Sequence, residues 1–83
     1  MHRPVFDITA NGQSIGQRYA FNSSQRAIVA HMRELANARG GVWRLVETSG
    51  TRDETGRFHT GRRVWQSGDD RIEFQITRVR DAA

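Results

Sequence analysis

From Val5 to Ala10 the chain alternates, with Phe6, Ile8 and Ala10 on one side and Val5, Asp7 and Thr9 on the other. That is the period-two signature of a strand with one buried face. Asn11-Gly12 follows, a two-residue turn in which both residues need positive φ. Pairing across it sets Thr9 opposite Ser14, Ile8 opposite Ile15 and Phe6 opposite Gln17. The second strand then runs to about Phe21, with Ile15, Tyr19 and Phe21 on the Phe6/Ile8 side.

Asn22-Ser23-Ser24-Gln25 is a helix start, with Asn22 or Ser23 as cap and Gln25 three residues after Asn22, as in a capping box. Ile28, Met32, Leu35 and Ala36 recur at helical spacing, while Arg26, Arg33 and Asn37 fall on the wet side. The helix is expected to run to about Ala38 and stop at Gly40-Gly41, where a left-handed residue costs nothing. Three further strands follow, over Val42 to Thr48, about Phe58 to Gln66, and Arg71 to about Val79. Ser67-Gly68-Asp69-Asp70 is a tight turn that sets Trp65 opposite Ile72. Between the third and fourth strands, residues 49–57 are polar and flanked by glycines, the composition of a mobile loop.

The order ββαβββ predicts a single α+β domain over 1–83, with one helix packed on one face of a mostly antiparallel five-stranded sheet. A β-grasp-like topology shares the opening hairpin–helix–strand and is the alternative. One helix cannot cover both faces of such a sheet. Phe6, Ile8, Ile15, Tyr19, Trp43, Leu45, Trp65, Ile72, Phe74 and Ile76 are assigned to the helix side. Alternation then sends five of the six valines (Val5, Val42, Val46, Val64 and Val79) to the open face, together with Arg18, Arg44, Arg62 and Arg71. β-Branched residues suit strands for their own sake, and Asp7 and Glu73 can pair with arginines across the sheet. The other reading of a Val/Arg face is an interface, either sheet-to-sheet in a homodimer or a platform for a partner.

Composition narrows the chemistry. The 83 residues include no cysteine, so disulfides, thiolate metal sites and a cysteine nucleophile are excluded. His2, His31 and His59 are too far apart in sequence for a zinc spacing pattern. The longest apolar run, Ala27 to Ala30, is far short of the ~20 residues of a membrane span, and the start Met-His-Arg-Pro leads straight into a strand with no signal-like segment. A soluble cytoplasmic protein without a membrane or cofactor role is expected.

All 13 basic side chains are arginine, against 9 acids, for a net charge of +4. A GC-rich coding sequence produces that bias without functional demand; guanidinium also forks onto carboxylate and phosphate and stacks on rings in ways an ammonium does not. Residues 1–40 carry five Arg and two acids, and residues 41–83 eight Arg and seven acids. The C-terminal arginines therefore have local acidic partners.

Residues 57–65, Arg-Phe-His-Thr-Gly-Arg-Arg-Val-Trp, are the densest basic and aromatic stretch, and rings with guanidinium groups are what single-strand binding uses. No RNP, GxxG, Walker or helix-turn-helix pattern accompanies them. His31 flanks the apolar stripe of the helix and is expected to pack there. His59 with Asp53 and Glu54 could gather in the loop, but nothing in the spacing brings them together. No convergent catalytic constellation is present, so an enzyme is not expected.

The expectation is a small non-enzymatic binding module that uses the Arg-bearing sheet face and the 49–63 loop region to engage an acidic protein surface or nucleic acid. Its candidate binding residues are Arg18, Arg44, Arg52, Arg57, His59, Arg62, Arg63 and Arg71. In size and layout the chain is also similar to the small inhibitor proteins of phages and mobile elements, anti-CRISPR proteins among them; that likeness implies binding to a host protein complex. A homodimeric assembly subunit built on the Val/Arg face is the third reading.

Overall fold

A computed structural model describes residues 3–82 and has the element order β1 (Arg3–Ala10), β2 (Gln13–Arg18), α1 (Phe21–Arg39), β3 (Arg44–Arg52), β4 (Phe58–Ser67) and β5 (Asp70–Ala82). The five strands form one sheet in the order β2-β1-β5-β4-β3, antiparallel at every pairing. This is the expected α+β arrangement of a single helix on a five-stranded sheet. The β-grasp-like alternative does not form, because β5 lies antiparallel between β1 and β4.

Both short turns follow from local chemistry. Asn11 and Gly12 have φ of 49° and 85°, the conformation that matches the twist of the flanking strands. Gly68 has φ 58° and closes the β4–β5 hairpin with Trp65 opposite Ile72, the register expected from sequence. The β1–β2 register differs. Thr9 pairs with Ser14, but Ile8 then meets Gly16 and Phe6 meets Arg18. Ile15 is an extra residue in β2, a bulge relieved by Gly16 at φ 138°. The slip reverses the faces beyond it: Arg18 lies on the Phe6 side of the sheet, not on the open face. The strand also ends there, so Tyr19 leaves the core and is 57% exposed.

α1 begins two to three residues earlier than the cap signal implied. Ala20 is the N-cap and supplies no side-chain bond; Asn22 and Ser23 lie inside the first turn, where Gln25 Nε2 donates to Asn22 Oδ1. Ser24, fully buried, donates to the Ala20 carbonyl. Gly40 ends the helix as expected, with φ 73° and its N–H on the Ala36 carbonyl. No helix among the described residues is long and apolar enough to cross a membrane.

The core is one cluster of Phe6, Ile8, Phe21, Ile28, Met32, Phe74 and Ile76, with Ile15, Trp43, Trp65 and Ile72 packed against it. His31 meets the Phe74 ring edge-on, centroids 5.6 Å apart. α1 packs on β1, β2 and β5, and its first turn reaches β4 through Phe21. The outer strand β3 lies beyond it, so Leu45, assigned to the helix side, is 47% exposed.

Residues 49–57 are not a loop throughout. β3 stays paired with β4 to Arg52, and only Asp53 to Arg57 turn. One Asp53 carboxylate oxygen accepts from Thr55 N, Thr55 Oγ1 and Arg57 N, and the other from Arg78 Nη2. Four donors on one carboxylate make this an ordered turn. The Thr55 hydroxyl and then Arg78 hold the Asp53 carboxyl well below the usual carboxylate range.

Candidate binding surface

The open face of the sheet, expected to present valine and arginine together, largely satisfies itself. Val64 on β4 pairs with Glu47 of β3 on one side and Glu73 of β5 on the other. Arg62, two residues before Val64 on the same face, donates to both glutamates, through Nε to Glu73 at 2.6 Å and through Nη1 to Glu47. Arg71 adds a contact of 3.7 Å to Glu47. The carboxylate stems and the bridging guanidinium close over Val64, which has no exposed surface. The hydrogen bond from Arg62 holds the Glu73 carboxyl below its ordinary value. Val5 is also buried, so two of the five valines assigned to an exposed face are not available to a partner. Val42, Val46 and Val79 are exposed.

The basic-aromatic stretch is committed to internal packing. Phe58 stacks on Phe21, centroids 4.1 Å apart and planes within 7°, and Phe21 meets Phe6 edge-on at 5.6 Å. The Arg52 guanidinium lies 3.9 Å from the Phe58 centroid. Two groups at that distance cannot share one face of a ring, so Phe58 is sandwiched between Phe21 and Arg52. Arg52 also donates to the Gly56 carbonyl. Arg63 lies on the helix side and donates to the Ser49 and Arg62 carbonyls and to Gln25 Oε1; its burial pushes the guanidinium pKa down. Arg57 reaches Asp81 at 3.3 Å. His59 is exposed at a bulge, the residue left over where Arg52 pairs with Phe58. It is not gathered with Asp53, and among the described residues no group of three or more His, Asp or Glu could hold a metal ion.

Of the eight sequence-predicted residues, Arg18 and Arg44 are the exposed arginines without a side-chain partner among the described residues; Arg18 donates to the Gln17 carbonyl. Sequence reasoning passed over five others, Arg3, Arg26, Arg33, Arg39 and Arg80. All seven are exposed, and none has a carboxylate within 4 Å among the described residues. The available signal was the wet side of the helix, where Arg26 and Arg33 stand seven residues apart on one stripe with Val29, 44% exposed, between them. The other uncommitted arginines also have apolar company. Arg44 shares a shallow groove with Val42 and Val46, and Arg3 lies over the Tyr19 ring, 5.7 Å from its centroid.

A second open groove, of about 540 Å³, lies between the start of β1 and the start of α1. Its floor is Phe6, Phe21 and Phe58, Pro4 and Tyr19 form one wall, and Arg3, Arg57 and Arg78 stand at its rim. No protein-family model, curated protein or solved structure matches this chain.

Proposed function

We propose that this chain is a small non-enzymatic binding module that engages an acidic protein surface. One observation carries the reading: eight exposed arginines lack a carboxylate partner among the described residues, and of these Arg52 alone stacks on a core ring, while several of the others stand beside exposed apolar or aromatic side chains. A phosphate track asks for cations continuous along a groove. Arginine interleaved with tyrosine and aliphatic residues is instead the composition of protein interfaces, where such side chains act as anchors. The arginines of the 57–63 stretch, which favoured nucleic acid in the sequence, hold carboxylates, carbonyls, an amide oxygen and, through Arg63, the Phe21 ring of the chain itself. The overall charge of +4 steers an acidic partner at long range.

The test combines two measurements on the full chain. Fluorescence anisotropy with labelled duplex DNA and single-stranded RNA is expected to show weak binding that vanishes near physiological salt. Affinity capture with the unmodified chain and with a triple Arg26→Glu, Arg33→Glu, Arg44→Glu variant is expected to retain an acidic protein on the first only. Tight nucleic-acid binding that falls by orders of magnitude with a few-fold more salt would overturn the reading in favour of a phosphate footprint.

A further inference from the structure

The groove at the start of α1 differs from the rest of the surface in having three cations at its rim and no acid among its lining residues. Its volume of about 540 Å³ is large enough to seat one aromatic side chain, with one side left open to solvent. Phe6 and Phe21 beneath the groove are buried and both faces of Phe58 are taken by Phe21 and Arg52, so its accessible apolar surface is Pro4, the Phe58 edge and the Tyr19 ring, onto which another aromatic ring packs edge-on or offset. At the mouth stands Tyr19, 57% exposed, an aromatic side chain that the core does not use.

The rim is graded in its availability. Arg78 is held by Asp53 at 2.6 Å and Arg57 by Asp81 at 3.3 Å. Among the described residues Arg3 has no carboxylate within 4 Å and lies over the Tyr19 ring, and it is the groove arginine assigned to a ligand. The first turn of α1 also borders the groove through Ala20, Phe21 and Ser23, and it contains no acidic side chain and no side-chain cap. A negative charge held at the rim by Arg3 therefore meets no repulsion from the lining.

We infer that this groove is an anchor pocket for an aromatic side chain flanked by a carboxylate, presented by the acidic protein partner. The ring packs between Pro4, the Phe58 edge and Tyr19, and the carboxylate pairs with Arg3. A fixed cation next to a desolvated aromatic slot recognises the combination better than either part alone. The occupant's being a protein rests on the function proposed above; the pocket's chemistry does not, and it can be probed without the partner.

The experiment uses the full ¹⁵N-labelled chain and three small probes, namely N-acetyl-tryptophan, its neutral amide, and uridine monophosphate. N-acetyl-tryptophan is expected to bind with a Kd on the order of 1 mM, as a ligand of this size in an open groove does, shifting the amides of Arg3, Tyr19, Phe21 and Phe58. The amide should bind about tenfold more weakly through loss of the charge-assisted pair. Tyr19→Ala and Arg3→Glu, both at exposed positions, should each weaken N-acetyl-tryptophan while keeping the rest of the spectrum, and Glu34→Gln, exposed on α1 away from the groove, should leave it unchanged. Shifts confined to other surfaces, equal binding of acid and amide, or no binding at 10-fold above that Kd would overturn the pocket. Tighter binding of uridine monophosphate would overturn it in favour of a nucleotide site. If the probes fail but the unmodified chain still captures an acidic protein, the pocket is wrong and the proposed function stands; if the probes bind and no acidic protein is captured, the reverse holds.

Discussion

Gly61 on β4 faces Phe21 at the first turn of α1 so closely that a Cβ on the glycine would lie 2.6 Å from Phe21 Cζ. The missing side chain is what lets the helix start reach β4 and stack Phe21 on Phe58. Gly61→Ala is therefore expected to destabilise the fold by about 1–3 kcal/mol through overpacking, read as a lower midpoint in thermal or urea unfolding. An unchanged midpoint would mean that the aromatic column shifts without cost.

Val64 and Val46 both belong to the open face, yet their substitutions should diverge. Val64→Arg forces a larger side chain into a site with no exposed surface and sets it against Arg62 for Glu47 and Glu73, so overpacking is expected to cost about 1–3 kcal/mol, read as a lower melting temperature by circular dichroism. Val46→Glu, at a position 52% exposed, should fold normally. If the chain self-associates through this margin, Val46→Glu should lower its mass in solution.

Arg62 and Arg44 separate structure from binding in the same way. Arg62→Glu sets three carboxylates around Val64 and removes the bridge between Glu47 and Glu73, so the melting temperature should fall clearly. Arg44→Glu breaks no ion pair among the described residues and should leave melting unchanged while weakening capture of an acidic partner. Equal melting of the two variants would show that the Arg62 bridge is dispensable.

The indole N–H groups of Trp43 and Trp65 are buried without an acceptor among the described residues. Trp65→Phe removes such a group along with part of the ring, and the two effects offset, so its cost should stay below about 1.5 kcal/mol. Trp65→Ala leaves a cavity beside Ile72 and should cost about 3 kcal/mol or more. Similar losses for both variants in urea unfolding would mean that the indole N–H makes a bond after all.

Asp53 sets a pH dependence. Its carboxyl titrates lower in the folded chain than in the unfolded one because Thr55 and Arg78 favour the charged form. Its contribution to stability is therefore complete above the unfolded carboxylate range and is lost as pH falls through the folded value. Asp53→Asn should be less stable than the unmodified chain at neutral pH, with the gap closing on acidification below about pH 4. A gap that stays constant to pH 2 would assign the turn to Asp53 hydrogen bonding that the amide also loses at every pH.

The sequence by itself determined the six elements, both tight turns and the Trp65–Ile72 register. Each of these rests on neighbours a few residues apart: period-two or helical spacing, and turn residues that accept positive φ. Tertiary structure decided the rest. β5 enters between β1 and β4, which brings Glu73 to Arg62 and Arg78 to Asp53, pairs separated by 11 and 25 residues. Charge counting along the chain could say that the C-terminal arginines had acids within reach, but not which ones would be taken. The bulge at Ile15 likewise turned Arg18 to the helix side, because one inserted residue inverts every face beyond it. What remains exposed and uncommitted, Arg3 over Tyr19 and the arginines along α1, follows from that long-range pairing, and no local pattern encodes it.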